Sequence, residues 1–527
     1  MSVSSVKQGL VTQRGGRILA PFRATKPGAF PVAKPPELHL APMTRADIPW
    51  RGRSCLNLIA TQLLVAGLAI GSFSACVRFE HRPLAASKAA ADFESRSLSD
   101  SGLRAFLETN GISGEWPRLT WDLKALTLAA FYFSPELDLA RAQWGTAQSA
   151  VRTAAQRKNP TLSISPQYNT TTFTPSPWIA AVNLDLPLET AGKRGRRIAQ
   201  ARHLSDAAKL NIATAAWRVR GKLRQTLVEL NAATEQEQLL GAQQAAQEEN
   251  VKLLEAQLAA GAVSAAEVTR ERIALDTTML MLQEARRLRS ESRVTLAEVI
   301  GVPTHALDGL EISFAGLDRL PPDLDLQTAR RQALLSRADI LAALSEYAAS
   351  EAALRLEIAK QYPDIHLSPG YEYDQGDNKW GVGLALELPI LNLNKGSIAE
   401  AEAHRAECAA RFNAIQARVL AEIDRTFAGY SAAIEKSAAA ASLVANLEKQ
   451  ERLARGRYEA GEVSRSEVIA AQVELAAARL ANAAATASAQ QALTRLEEAL
   501  QNPVMLPADP LEPPAISRTS QRPPPAP

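Results

Sequence analysis

Few side chains in this sequence have the type and spacing that chemistry requires. His404 and Cys408 stand four residues apart, so on a helix they would share a face and could be two zinc ligands. Structural zinc takes four ligands, however, the six histidines are scattered, and the three cysteines show no CxxC spacing. A pair on a packed helix is therefore the preferred interpretation. The sequence predicts no catalytic residue, no metal site and no cofactor, and hence a protein that is not an enzyme.

Lipid attachment is a further chemistry, and the segment before Cys76 indicates it. Three arginines precede an apolar run that extends from Leu56 to Gly71 with few polar interruptions. This order of charge and apolarity is the outline of an export signal, and the run is too short for a comfortable membrane span. Phe73-Ser74-Ala75-Cys76 resembles the lipobox of bacterial lipoproteins, with phenylalanine where leucine is usual.

We therefore predict a lipoprotein signal peptide over residues 43–75 and a lipidated Cys76, carrying palmitate, as the mature N-terminus. The alternative is a cysteine that merely lies near an ordinary cleavage site. Met43 would give the signal a normal short basic start, so residues 1–42 are a doubtful N-terminal extension.

Composition limits the possible partners. The formal net charge is only +3 and no long run of lysine or arginine occurs, so nucleic acid is not expected as a partner. Aromatic residues make up 5% of the chain, and alanine is abundant in two long stretches without proline, 188–302 and 390–502. This composition favours long helices over compact cores.

The elements that would position functional residues are duplicated. One motif, Ala260, Gly261, Val263, Ser264, Glu267 and Val268, recurs two hundred positions later as Ala460, Gly461, Val463, Ser464, Glu467 and Val468. Nearer the start of each copy the offset becomes 202, as between Trp178 and Trp380, and then 203, as between Tyr168 and Tyr371. Internal repetition of this kind indicates two copies of one structural unit.

Within each copy the pattern predicts a helix, a strand, a turn, a second strand and two long helices. Apolar residues recur at intervals of three and four, which places an apolar stripe on each long helix. A helix from about Gly195 to Gly261 would be on the order of 100 Å long, so coiled-coil packing is implied. Gly261 and Gly461 can end a helix in the left-handed conformation, and Ser264 and Ser464 can cap the next one.

The strands have two unlike faces. Trp380, Val382, Leu384, Leu386 and Leu388 alternate with glycine, alanine and glutamate, and the segments at 160–168, 178–187 and 365–373 alternate in a similar way. Strands of about ten residues with one apolar face and aromatic ends suit a lipid-facing barrel, although a half-buried soluble sheet has the same local pattern. A barrel in lipid closes without edges and needs about eight strands at least, so a chain with four must share it.

The duplicated strand pairs and long helices, the paired Ala-Gly-x-Val-Ser-x-x-Glu-Val turns and the export signal together resemble the TolC-like outer-membrane efflux proteins. The resemblance covers about Thr120 to Asn502. It implies an α+β membrane protein that forms a homotrimer, with a twelve-stranded β-barrel in the outer membrane and an α-helical tunnel through the periplasm. The lipid-anchored branch, which serves resistance-nodulation-division pumps, looks closest in layout.

The same resemblance assigns roles to the turns. Ala260, Gly261, Val263, Ser264, Ala460, Gly461, Val463 and Ser464 would be the tips that dock onto a periplasmic adaptor protein. Glu467 could narrow the tunnel as a ring of three carboxylates that favours cations, although a helix cap accounts for it as well. Outer-membrane lipid, the adaptor and an inner-membrane transporter are thus the implied partners of a Gram-negative outer-membrane protein.

The predicted organisation follows from these observations. It comprises an extension (1–42), the signal peptide (43–75), an N-terminal arm (76–119), the first repeat (120–301), a linker (302–326), the second repeat (327–502) and a disordered proline-rich tail (503–527). We predict a passive exit duct of a tripartite efflux pump for small molecules or metal ions. The alternatives are an exit duct for type I protein secretion and a periplasmic coiled-coil scaffold.

Overall fold

The computed structural model describes residues 79–171, 176–317, 320–321 and 324–503. Residues up to Pro83 form one unit, of which only 79–83 are described, and the chain from Leu84 onward forms another, which is the subject below. The predicted extension, the signal peptide, Cys76 and all but the first residue of the predicted tail lie outside the described residues.

The order of helices and strands repeats along the chain. First come α1 (Ala86–Glu94), α2 (Ser101–Thr109) and β1 (Thr120–Trp121). The first repeat continues with α3 (Leu123–Phe133), α4 (Pro135–Ala155), β2 (Thr161–Tyr168), β3 (Trp178–Leu188), α5 (Lys193–Ala259) and α6 (Ala265–Ile300). A 3-10 turn (Thr304–Leu307) and β4 (Glu311–Ile312) follow. The second repeat has α7 (Leu326–Ser336), α8 (Ala338–Ala359), β5 (Ile365–Asp374), β6 (Asp377–Leu386), α9 (Lys395–Glu459) and α10 (Arg465–Leu500).

The long helices are where the sequence places them. α5 spans 67 residues and α9 spans 65, so each is about 100 Å long at 1.5 Å per residue. α6 and α10 return alongside them with 36 residues each. The segments lack proline and are rich in alanine, which allows such lengths. The predicted long helices and their reversals are confirmed.

Each repeat begins with two helices rather than the single one predicted. In the first repeat Ser134 is extended, with φ −61° and ψ 119°, and Pro135 starts α4 at its N-terminal end. A residue before proline disfavours the helical region, while proline suits the first turn of a helix, so the chain bends there. In the second repeat Arg337 makes the corresponding break, and its side chain contacts Asp339 and the Ala499 carbonyl.

Four strands form one antiparallel sheet in the order β2-β3-β5-β6. β2 pairs with β3 and β5 with β6 as two hairpins, and β3 and β5 join the hairpins of the two repeats. The registers place Val182 opposite Ile164 on one side and Tyr371 on the other. Directly opposed residues share a face, so the apolar residues of all four strands collect on one side.

The segment between the repeats is more ordered than the predicted linker suggests. β4 pairs in parallel with β1, and Leu307 and Leu317 are buried in the core of the first repeat. The Tyr430 hydroxyl on α9 donates a 2.7 Å hydrogen bond to the Pro321 carbonyl. Burial raises the pKa of Tyr430 to about 12. The inter-repeat segment is thereby tied to helices of both repeats.

A buried ion pair joins α5 of the first repeat to α10 of the second. Glu497 is fully buried, and its carboxylate accepts hydrogen bonds from Arg220, at 2.9 Å, and Arg224. Burial alone would raise the pKa of Glu497, but the two arginines outweigh it and the pKa is lowered. Buried charges must be paired, so this contact fixes which helix faces meet.

Candidate functional site: the apolar sheet face and the helix turns

One face of the sheet is apolar and open to its surroundings. Leu162, Ile164, Val182, Val382 and Leu384 are exposed there, as is Trp380, at 82%. Two aromatic pairs lie across the hairpins, Tyr168 with Trp178 and Tyr371 with Trp380, with ring centroids 5.0 and 4.8 Å apart. An exposed apolar face of this extent marks a lipid or protein contact, and paired aromatics at strand ends are typical of a membrane interface.

The opposite face is polar. His366 Nδ1 lies 3.0 Å from the Asp185 carboxylate, and the Ser368 hydroxyl is 3.5 Å from the same group. Asn183 and Gly370 face each other across the two repeats, and a Cβ at Gly370 would lie 2.0 Å from the Asn183 amide oxygen. The glycine therefore allows the amide to lie between the strands. Two unlike faces are what a wall between lipid and an aqueous lumen needs.

Both outer edges of the sheet are open within the described residues. β2 pairs only with β3, and β6 pairs only with β5. Each edge thus presents a row of backbone N–H and C=O groups, which natural proteins cover or pair. In a hydrocarbon environment unpaired backbone groups are costly, so such edges have to meet another strand.

A polar cluster anchors the sheet to the helices at the base of β5. Asp364 accepts hydrogen bonds from Lys193, at 2.7 Å, Lys158, at 3.0 Å, and the Thr190 N–H, at 3.2 Å. Burial opposes the negative charge, but these donors outweigh it and lower the pKa of Asp364 to about 2. Nearby, Arg197 holds Glu189 at 2.6 Å, and hydrogen bonding to that carboxylate raises the pKa of the arginine.

The two helix turns have the conformation that the repeated motif predicts. Gly261 and Gly461 are left-handed, with φ of 71° and 77°. Ser264 Oγ accepts a hydrogen bond from the Glu267 N–H at 3.2 Å, and Ser464 Oγ accepts one from the Glu467 N–H at 3.3 Å. Ala260 and Ala460 are exposed, and Val263 and Val463 are half-buried. The structure therefore places all eight predicted tip residues at the ends of the two helical hairpins.

The second turn carries charges that the sequence analysis missed. Arg457 lies 3.4 Å from Glu462 and 3.5 Å from Glu467, and Arg465 lies 2.9 Å from Glu249 on α5. Arg457 and Glu467 are equally distant from the middle of the turn, so antiparallel pairing across a helical hairpin was the signal that could have found them. The first turn has alanines at the positions of Glu462 and Arg465.

Groups for catalysis or metal binding are not assembled in the part of the chain that the structure describes. No cluster of three or more potential metal ligands occurs there. His404 Nε2 and Cys408 Sγ lie 3.8 Å apart on α9, as their spacing predicts. α10 is long and apolar enough to cross a membrane by composition alone, but it packs along α9 and α5, with Val468, Leu475 and Leu493 buried.

Known proteins with the same features are membrane channels. The profile of a family described as outer membrane efflux protein matches residues 132–302 and 329–502. The cobalt-zinc-cadmium resistance protein CzcC of Cupriavidus metallidurans is 24% identical over 225 residues, which are 42% of this chain and 52% of CzcC. The chain thus spans about half the length of this curated relative.

Solved structures give the same fold. A membrane protein from Pseudomonas aeruginosa superposes with a TM-score of 0.62 at 18% identity, over 80% of this chain and 99% of that one. The outer membrane protein VceC from Vibrio cholerae superposes with a TM-score of 0.59 at 21% identity, over 72% of this chain and 96% of that one. At these identities the likeness establishes the fold.

Proposed function

The chain belongs to the outer membrane efflux protein family, and from that membership we propose that it is the passive exit duct of a tripartite efflux pump. Three chains share one twelve-stranded β-barrel in the outer membrane, and their long helices line a tunnel in the periplasm. An inner-membrane transporter supplies the energy, and a periplasmic adaptor protein links it to the duct. The chain itself has no catalytic role.

The single observation that supports this function best is the four-stranded sheet. Its exposed apolar face suits lipid, its polar face suits an aqueous lumen, and its two open edges call for neighbouring strands. Four strands fall short of the smallest closed barrel, whereas three chains supply twelve, wide enough to leave a conduit. A periplasmic scaffold would leave both the apolar face and the edges without a purpose.

Metal ions are the first cargo to test. Similarity to CzcC, a cobalt-zinc-cadmium resistance protein, supports them, and so does the carboxylate of Glu467 at the second helix turn, since three copies would form a ring that favours cations. Drugs and secreted proteins are the competing cargoes. The eight residues of the two turns, which are set at the ends of the hairpins, are the proposed docking tips for the adaptor.

Lipid attachment at Cys76 belongs to the same proposal. A lipid anchor would hold the mature N-terminus at the outer membrane, and the basic and apolar segments before the cysteine support it. Intact-mass measurement of the purified protein tests this directly. Acyl mass on the wild type that is absent from Cys76→Ser supports the anchor, and equal mass apart from the substitution contradicts it.

Membrane fractionation tests the duct itself. We expect the expressed chain in the outer-membrane fraction, and a detergent-solubilised particle whose mass, corrected for detergent, equals three chains. In a strain lacking its own exit duct, co-expression with the matching adaptor and transporter should restore resistance to cobalt, zinc or cadmium. Recovery as a soluble periplasmic protein would exclude the duct and favour the scaffold.

A further inference from the structure

The two repeats of one chain already contact each other side by side. α10 of the second repeat packs along α5 of the first, and Leu480 contacts a cluster that contains Leu240 and Leu282. In the sheet, β3 of the first repeat pairs with β5 of the second. We call this set of contacts the repeat–repeat interface. It is a template for any further contact between a first and a second repeat.

The first repeat carries the counterpart of the α10 surface without a cover. On α10 the residues Val473, Leu480, Ala487 and Thr494 are spaced by seven and are half-buried or buried. Their counterparts two hundred positions earlier, on α6, are Ile273, Leu280, Arg287 and Val294, all exposed. Leu280 reaches 73%. A seven-residue spacing gives one continuous seam on a helix, as in coiled coils, so α6 has a seam with no partner helix.

The second repeat carries the matching surface of the other kind. α9 is the counterpart of α5, and its Leu443 and Leu453 are exposed, the latter at 69%. At the same repeat positions Gln243 and Leu253 on α5 are half-buried. The chain therefore presents an uncovered α6 seam on one repeat and an uncovered α9 face on the other.

The sheet gives the same result from independent residues. β3 ends at Leu188, and its counterpart at offset 202 is Ile390, yet β6 ends four residues earlier at Leu386. In β3 the last residues pair with β5, as Leu188 does with Ile365. The corresponding end of the second repeat has no strand beside it, and Ile390 is 71% exposed.

We infer that a second copy of this chain covers these surfaces and reproduces the repeat–repeat interface, with its first repeat against the second repeat of its neighbour. The α6 seam, the α9 face and the open strand edges are the continuation of that interface, which is why the occupant is this same chain. The contact is head-to-tail, so it forms a ring when the rotation closes. The inference rests on the proposed trimer and adds the residues that meet.

The duplication offsets supply the partners. Asn183 opposite Gly370 in the chain becomes Ala385 opposite Gln167 of the partner subunit. Leu480 against Leu240 becomes Leu280 against Ala440 of the partner subunit. β6 then extends to Ile390, because its last residues gain a neighbouring strand.

Disulfide cross-linking tests the register, in a Cys408→Ser background. The matched strand pair is Ala385→Cys with Gln167→Cys, and its control replaces Gln167→Cys by Ser163→Cys, about 13 Å further along the strand. The matched helix pair is Leu280→Cys with Ala440→Cys, and its control uses Ala433→Cys, about 10 Å away along the helix. Mild oxidation and non-reducing electrophoresis follow, with each single-cysteine variant as the background.

We expect both matched pairs to shift the chain to covalent dimers and trimers, and both controls to stay at the level of the single variants. Cross-linking by the controls, or by neither set in a particle that still has the mass of three chains, would overturn this inference and leave the duct intact. Absence of a three-chain particle from the outer membrane would instead refute the proposed function.

Discussion

At the residue scale, the chain uses its charges to position elements rather than to perform reactions. Glu467 illustrates the distinction. Its N–H completes the cap with Ser464, while its carboxylate lies beside Arg457, so the cap does not require the charge. A helix cap and a ring of charge are therefore separable roles of the same residue, which spacing alone could not establish.

We predict that Glu467→Gln lowers the preference of the open duct for cations, because three negative charges leave the proposed ring while the backbone cap remains. The reversal potential of single channels in a planar bilayer, under a salt gradient, measures this preference. Glu462→Gln is the matched control, since Glu462 also pairs with Arg457 but lies at the turn itself. Equal effects of the two substitutions would contradict a specific ring at Glu467.

The Asp364 cluster leads to a prediction of pH dependence. The folded pKa, about 2, lies below the ordinary value of 3.8, so the stabilisation is present above about pH 4 and is lost as the pH falls toward 2. Asp364→Asn should lower the melting temperature at pH 6 and have little effect at pH 2.5, as measured by circular dichroism in detergent.

Asp308→Asn is the control for that experiment. Asp308 pairs with Arg293 at 3.0 Å, but its side chain is 71% exposed, so solvent screens the pair and its loss should matter little at either pH. A melting temperature of Asp364→Asn that differs from the wild type equally at both pH values would contradict the proposed role of the ionised carboxylate.

At the scale of elements, the sheet and the helical hairpins depend on alternation and periodicity that are visible in the sequence. The positions of the strands, the lengths of α5 and α9 and the left-handed glycines of both turns follow from local rules. The division of the first helix at Ser134 and Arg337 was missed. In the first repeat Pro135 was the available signal, whereas the break at Arg337 depends on a contact with the Ala499 carbonyl, far away in the sequence.

A pair of substitutions on β6 tests which face meets lipid. Val382→Lys places a charge on the apolar face, and Ala385→Lys places the same charge on the polar face of the same strand. At mid-depth in a bilayer a lipid-facing lysine costs about 2–4 kcal/mol, whereas a lumen-facing one is tolerated. We expect Val382→Lys to reduce the amount of three-chain particle in the outer membrane and Ala385→Lys to leave it near the wild-type level. The reverse order would mean that the faces are exchanged.

At the scale of the whole chain, the buried contact between Glu497 and its two arginines joins the repeats. Glu497→Leu would leave Arg220 and Arg224 buried without their counter-charge, and breaking a buried pair in this way costs about 3–5 kcal/mol. We predict a matching loss of stability, measured as the midpoint of guanidinium unfolding in detergent.

A combined variant provides the control. Replacing Arg220 and Arg224 by methionine together with Glu497→Leu removes the unpaired charges and should recover most of the lost stability. If the combined variant is as unstable as Glu497→Leu, packing around position 497, rather than charge, is what holds the repeats together.

The sequence by itself determined the duplication, the four strands, the long helices and the conformation of the two turns, because each depends on neighbours within a few residues or on a repeat offset. Only the tertiary structure decided what lies across the chain: the strand order, the Glu497 contact with Arg220 and Arg224, the Asp364 cluster, and the uncovered α6 seam. These features join residues more than a hundred positions apart, and local periodicity carries no information about such pairs. The exposed apolar sheet face became visible only when the registers placed the apolar residues of four strands on one side.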